Sequence, residues 1–96
     1  MPLYALIGTD AAGALERRME HRPAHLEGLQ ALQDAGRIRY AGPTLDEAGK
    51  PRGSVVVFEA PDLAAATALA AADPYVVEGV FESWQVHETK QVFPPG

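Results

Sequence analysis

Apolar residues in this chain switch between a two-residue and a helical period, and the switches mark its elements. The run from Met1 to Gly8, MPLYALIG, is short, apolar and ends at glycine, which predicts a strand. Its two faces are Leu3, Ala5, Ile7 and Tyr4, Leu6; neither is polar, so both sides are expected to be covered. From Asp10 to Gly36 the spacing turns helical. Leu26, Leu29 and Leu32 line one stripe, Arg22-Pro23 reads as the helix start, and Gly36 as the residue that ends it. Residues 12–21 read as a separate short helix or turn.

Arg37 to Ala41 alternates again, with Ile38 and Tyr40 on one face and two arginines on the other. Residues 42–53 contain three glycines and two prolines and read as a loop. Ser54 to Glu59 is a strand with an apolar centre, and the short connection makes it the antiparallel partner of the strand before the loop. Asp62 is placed to cap an alanine-rich helix, Leu63 to Ala72, which Pro74 keeps from continuing. Tyr75 to Gly79 reads as a turn or single helical turn. Val80 to Val86 reads as a last strand, and residues 91–96 as a mobile tail.

The order strand, helix, strand, strand, helix, strand predicts one α+β domain, a ferredoxin-like split βαβ unit with a four-stranded antiparallel sheet. Two helices can cover only one sheet face. The first and third strands are apolar on both faces, so the uncovered face would expose a large apolar patch. Burial against an identical sheet, as a homodimer, is therefore expected.

Charge and composition narrow the partners. The chain has 96 residues, 13 acidic and 8 basic side chains and a formal net charge of −5. No basic stripe runs along it, which argues against nucleic acid. Cysteine is absent, excluding disulfides and a thiol nucleophile. No signal segment is visible and the longest apolar helix is about half a bilayer span, so a cytoplasmic location away from membranes is expected.

Few residues offer chemistry. His25 falls in the first turn of the predicted helix, at the edge of its buried stripe; its position fits either an ordinary boundary histidine or a general base. Asp73, at the end of the alanine-rich helix, faces the negative end of the helix dipole and needs a partner there, unless it merely caps the turn at Pro74-Tyr75. His21 and His25 share the i, i+4 spacing of some zinc sites, but Pro23 places His21 outside the helix and no third ligand is near. Ser54 lacks the strand-to-helix turn of a hydrolase serine. Trp84 reads as dimer core or pocket wall.

Arg22-Pro23-Ala24-His25-Leu26, Gly42-Pro43, Gly53-Ser54 and Asp73-Pro74-Tyr75 stand in the order and spacing of the YciI-like (YCII-related) family, which the chain resembles from Leu3 to about Val86. The resemblance implies a ferredoxin-like fold assembled as a dimeric α/β barrel, with a histidine and an aspartate forming a catalytic dyad in a cleft. On that pattern the dyad is His25 and Asp73. Ser54 and Tyr75 match positions near the cleft, and Arg17 and Arg22 match basic positions suited to an anionic substrate. A few relatives look like lyases or dehydrochlorinases acting on aromatic-degradation products.

The reading is thus an enzyme that uses His25, oriented by Asp73, for general acid–base chemistry of the lyase, isomerase or lactone type. Its substrate is a small acidic or cyclic metabolite, and neither metal nor organic cofactor is required. The rival is a non-catalytic binding or accessory protein using the same cleft. Haem or cofactor-free oxygenase chemistry rests on analogy of fold alone.

Overall fold

The computed structural model describes residues 1–95. Its elements are β1 (Leu3–Asp10), α1 (Leu15–Asp34), β2 (Ile38–Leu45), β3 (Pro51–Glu59), α2 (Leu63–Ala71), α3 (Pro74–Val77) and β4 (Phe81–Thr89). The four strands form one antiparallel sheet in the order β2-β3-β1-β4, so the fold is ferredoxin-like.

The register explains the pattern of apolar residues. On one face Tyr4 pairs with Phe58, and Leu6 with both Val56 and Val86. Tyr4, Leu6, Val56 and Phe58 are buried beneath the helices. On the other face Ala5 lies beside Val57 and Ile7 beside Val55, and among the described residues no helix covers them; Ile7 remains 45% exposed, and Phe93 and Pro94 share a hollow with Ala5 and Val57. The strand that reads as apolar on both sides is thus covered on one side only within a single chain. Trp84 pairs with Gly8 on the helix side and packs half-buried against the core, so it belongs to neither the open face nor the cleft described below.

Two expectations fail at Pro23. The proline does not start the helix; it lies inside α1, which runs for 20 residues and takes in the segment 12–21 from Leu15 on. His25 is consequently well inside the helix rather than in its first turn, and His21 is helical too, its Nε2 3.8 Å from Glu78. A mid-helix proline removes one backbone hydrogen bond and crowds the preceding turn. Buried polar anchors on both sides of it, Arg18 and His25, hold the helix through that position. The leucine stripe is also displaced: Leu29 and Leu32 pack on the core, but Leu26 is 41% exposed.

The segment 42–53 is mostly sheet rather than loop. β2 and β3 extend through it, leaving a turn in which Asp46 Oδ1 accepts from the Ala48 and Lys50 N–H groups, both at 2.9 Å. Pro43 is tolerated because β2 is an edge strand. At Gly53 a Cβ would run into the Gly8 carbonyl of the neighbouring strand, so glycine is required for close approach.

Helix α2 starts where expected: the Asp62 carboxylate accepts from Ala65 N–H at 2.8 Å, a cap worth about 1 kcal/mol. Its alanines, with Ala66 and Ala70 turned to the sheet, let it lie close without filling the space towards α1. β4 runs further than the predicted strand, to Thr89. After it, the Gln91 amide donates to the Pro94 carbonyl. Gly96, the end of the expected tail, lies outside the described residues.

Candidate active site

α1 crosses the sheet with Arg18, His25 and Leu32 seven residues apart, and so on one side of the helix. His25 is buried, 7% exposed, and its Nδ1 lies 2.9 and 3.0 Å from the two Asp73 oxygens. An ionised carboxylate can only accept, so Nδ1 carries the hydrogen, and in the neutral imidazole that leaves the lone pair on Nε2. No group among the described residues hydrogen-bonds to Nε2.

Asp73 reaches this place because α2 stops just before it. Its extended backbone makes it the N-cap of α3, with Oδ1 accepting from Tyr75 N–H at 2.8 Å. One carboxylate therefore both caps the turn and bonds the imidazole.

Tyr75 follows on the same short helix and stacks on the imidazole, ring centroids 4.0 Å apart and planes at 12°. Phe81 meets Tyr75 edge-on at 5.8 Å, in space left by Gly8: a Cβ there would lie 2.6 Å from the Phe81 ring. The Arg18 guanidinium carbon sits 4.6 Å from the Tyr75 centroid, within cation–π range. Arg18 is itself buried and held by Asp10, by the Gly53 carbonyl and by Ser54 Oγ at 2.7–3.1 Å. The buried Tyr75 hydroxyl has no partner among the described residues.

Of the residues singled out in the sequence, His25, Ser54, Tyr75 and Arg22 line one cavity of about 270 Å³, and Asp73 joins them through its bond to His25. Arg17 does not. It lies on an exposed face and donates to the Gly79 carbonyl at 3.0 Å. Its neighbour Arg18 takes the interior place. The missed signal was spacing: Arg18 is seven residues before His25, two turns back on the same face.

Burial raises the Tyr75 phenol above its ordinary value of 10.0; the Arg18 and Arg22 charges oppose this and Asp73 adds to it. The folded state thus holds this proton more tightly than the unfolded chain does. Its contribution to stability is complete below the unfolded value and is lost as pH rises past 10 through the folded one. Denaturant titrations are expected to show the protein weakening over that alkaline range, and less steeply in Tyr75→Phe.

A model of the YCII-related domain family matches residues 2–90. The chain belongs to that family. Protein YciI of Escherichia coli O6:H1 (strain CFT073) is 45% identical, covering 95% of this chain and 99% of its own. An uncharacterized protein of Haemophilus influenzae (strain KW20) is 35% identical over 94% of this chain and 98% of its own. Among solved structures, 5-chloro-2-hydroxyhydroquinone dehydrochlorinase (TftG) from Burkholderia phenoliruptrix AC1100, in complex with 2,5-dihydroxybenzoquinone, superimposes with a TM-score of 0.83. It is 26% identical, and the match covers 93% of this YCII-family chain and 94% of the dehydrochlorinase. Among the described residues no helix is long and apolar enough to cross a membrane.

Proposed function

We propose that this YCII-family chain is an enzyme that moves a proton on a small, oxygen-bearing cyclic or acidic metabolite. His25 Nε2 takes the proton, and Asp73 fixes the tautomer and steadies the imidazolium that forms. The observation that carries this reading is the buried Nδ1–Asp73 pair, which leaves Nε2 unshared beside a cavity. Arg22 and Ser54, which line the cavity, suit the negative oxygen that develops as the proton leaves. The electron pair released can then expel a leaving group, shift a double bond or open a ring. The structural relative named as a dehydrochlorinase, bound to a dihydroxyquinone, points to elimination or isomerisation on a hydroxylated ring.

Solvent exchange tests this without knowledge of the pathway. Hydroxyquinones and hydroxyhydroquinones incubated in D₂O are expected to take up ring deuterium faster with the protein than without it, and His25→Ala is expected to remove the acceleration. Equal exchange with both proteins would sink the assignment. Thermal stabilisation by these compounds without exchange would reduce the cleft to a binding site.

The open sheet face supports a homodimer in the same reading. Leu3, Ala5, Ile7, Val55 and Val57 share that side, with Tyr40 beside Val57, and burying them against a second copy gains about 25 cal/mol per Å² of apolar surface. A lysine at Ile7 or Val57 would bring like charges together across such an interface. Sedimentation is expected to give a dimer for the parent chain and a monomer for Val57→Lys; a parent monomer at micromolar concentration would remove the proposal.

A further inference from the structure

Behind the His25–Asp73 pair lies a second, larger hollow of about 370 Å³ between α1 and α2, floored by Leu6, Val56 and Phe58. Its size falls in the usual range of ligand pockets, about 300–1,000 Å³. It exists because small residues line it, Gly28 and Ala31 of α1 with Ala35 just past its end, and Ala70 of α2 with Ala72 just past its end, where larger side chains would have closed the gap. The hollow and the cavity bearing Arg22 share His25 and Leu29, so the imidazole stands at the junction of the two.

The two arms differ in charge. Asp73 lies on the apolar side and repels an anion. On the other side Arg18 is neutralised by Asp10, whereas Arg22 forms no ion pair among the described residues. At the far end of the hollow, Arg37 likewise forms no ion pair among the described residues, but its guanidinium is tied down by two hydrogen bonds to the Glu59 carbonyl. We propose that the substrate of this site is amphiphilic, with an anionic head at Arg22 and a hydrocarbon substituent in the α1–α2 hollow, so that the atoms joining the two lie against His25. This rests on the acid–base reading above for the place of the reacting atoms, and it adds the class of substrate.

Straight-chain carboxylates serve as probes, acetate through butyrate and hexanoate to octanoate, with binding followed by the His25 ring-proton resonances in NMR titrations. Affinity is expected to rise about fourfold for each methylene placed in the hollow. Gly28→Phe and, independently, Ala31→Leu fill the hollow from α1. A Cβ at Gly28 meets nothing within 4 Å, and replacing a mid-helix glycine favours the helix, so the fold should tolerate the change. Both variants are expected to level the rise from butyrate to octanoate while leaving acetate binding unchanged. Arg22→Gln is expected to weaken every member equally and keep the slope.

A flat series in the parent protein, or an unaltered slope in both filled variants, overturns the proposal. So does loss of binding in Arg37→Gln in place of Arg22→Gln, which would put the head at the wrong end. These readouts do not depend on turnover. A rising series with full activity in His25→Ala would leave the hollow assigned and the base unassigned; a flat series with His25-dependent activity would do the reverse.

Discussion

His25→Ala is expected to lower turnover by about 10²–10⁴-fold, the usual contribution of a positioned general base. The loss should fall on kcat more than on KM, because the imidazole gains its proton only as the transition state forms. Asp73→Asn provides the internal comparison. An amide at position 73 can still accept from Tyr75 N–H through its oxygen, but it no longer offers the Nδ1 proton a charged partner. Its loss should be clear yet smaller than that of His25→Ala, as orienting carboxylates in catalytic triads behave. Asp73→Ala adds the loss of the α3 cap and about 1 kcal/mol of stability. Steady-state kinetics on any compound found to exchange, together with urea melts of the three variants, separates the two roles. A fully active His25→Ala would leave the dyad as packing.

The second large effect concerns folding. Asp10→Ala is expected to destabilise the protein by about 3–5 kcal/mol, because it leaves the Arg18 guanidinium buried beside only neutral acceptors. The Asp10 and Arg18 side chains are 8% and 6% exposed and meet at 2.8 Å, so water cannot easily take over the lost partner. For a domain of this size the midpoint should drop by roughly 10 °C or more. Replacing both residues together, as Asp10→Leu with Arg18→Met, should recover much of the loss, since no charge is then stranded. Calorimetry of the single and double variants decides it: an Asp10→Ala midpoint within a degree or two of the parent would show the pair to be solvated.

The same pair shows why part of the fold was hard to read from the sequence. Strands β1 and β3 and helix α2 announce themselves through apolar runs and an Asp62 cap, because their burial is hydrophobic. The first half of α1 does not: the side chains buried in it and just beyond it are Arg18 and His25, which a hydrophobic period scores as surface. With that half unreadable by period, Pro23 reads as a beginning. The glycines and prolines of 42–53 likewise suggested a loop, although an edge strand accepts Pro43 and the approach of Gly8 requires Gly53. The meeting of His25 and Asp73 was legible only through the family resemblance of their two short motifs. Position alone left His25 and Asp73 with ordinary structural roles, and in Asp73 that role proves real as well.

That double duty bears on how the site would age in evolution. One carboxylate both starts α3 and faces the imidazole, so a descendant that abandoned the chemistry would still be selected to keep the acid for folding. The histidine has no backbone duty of its own and would be free to drift. Retention of the acid in a distant relative therefore says little about activity, whereas an intact histidine is the more telling trait.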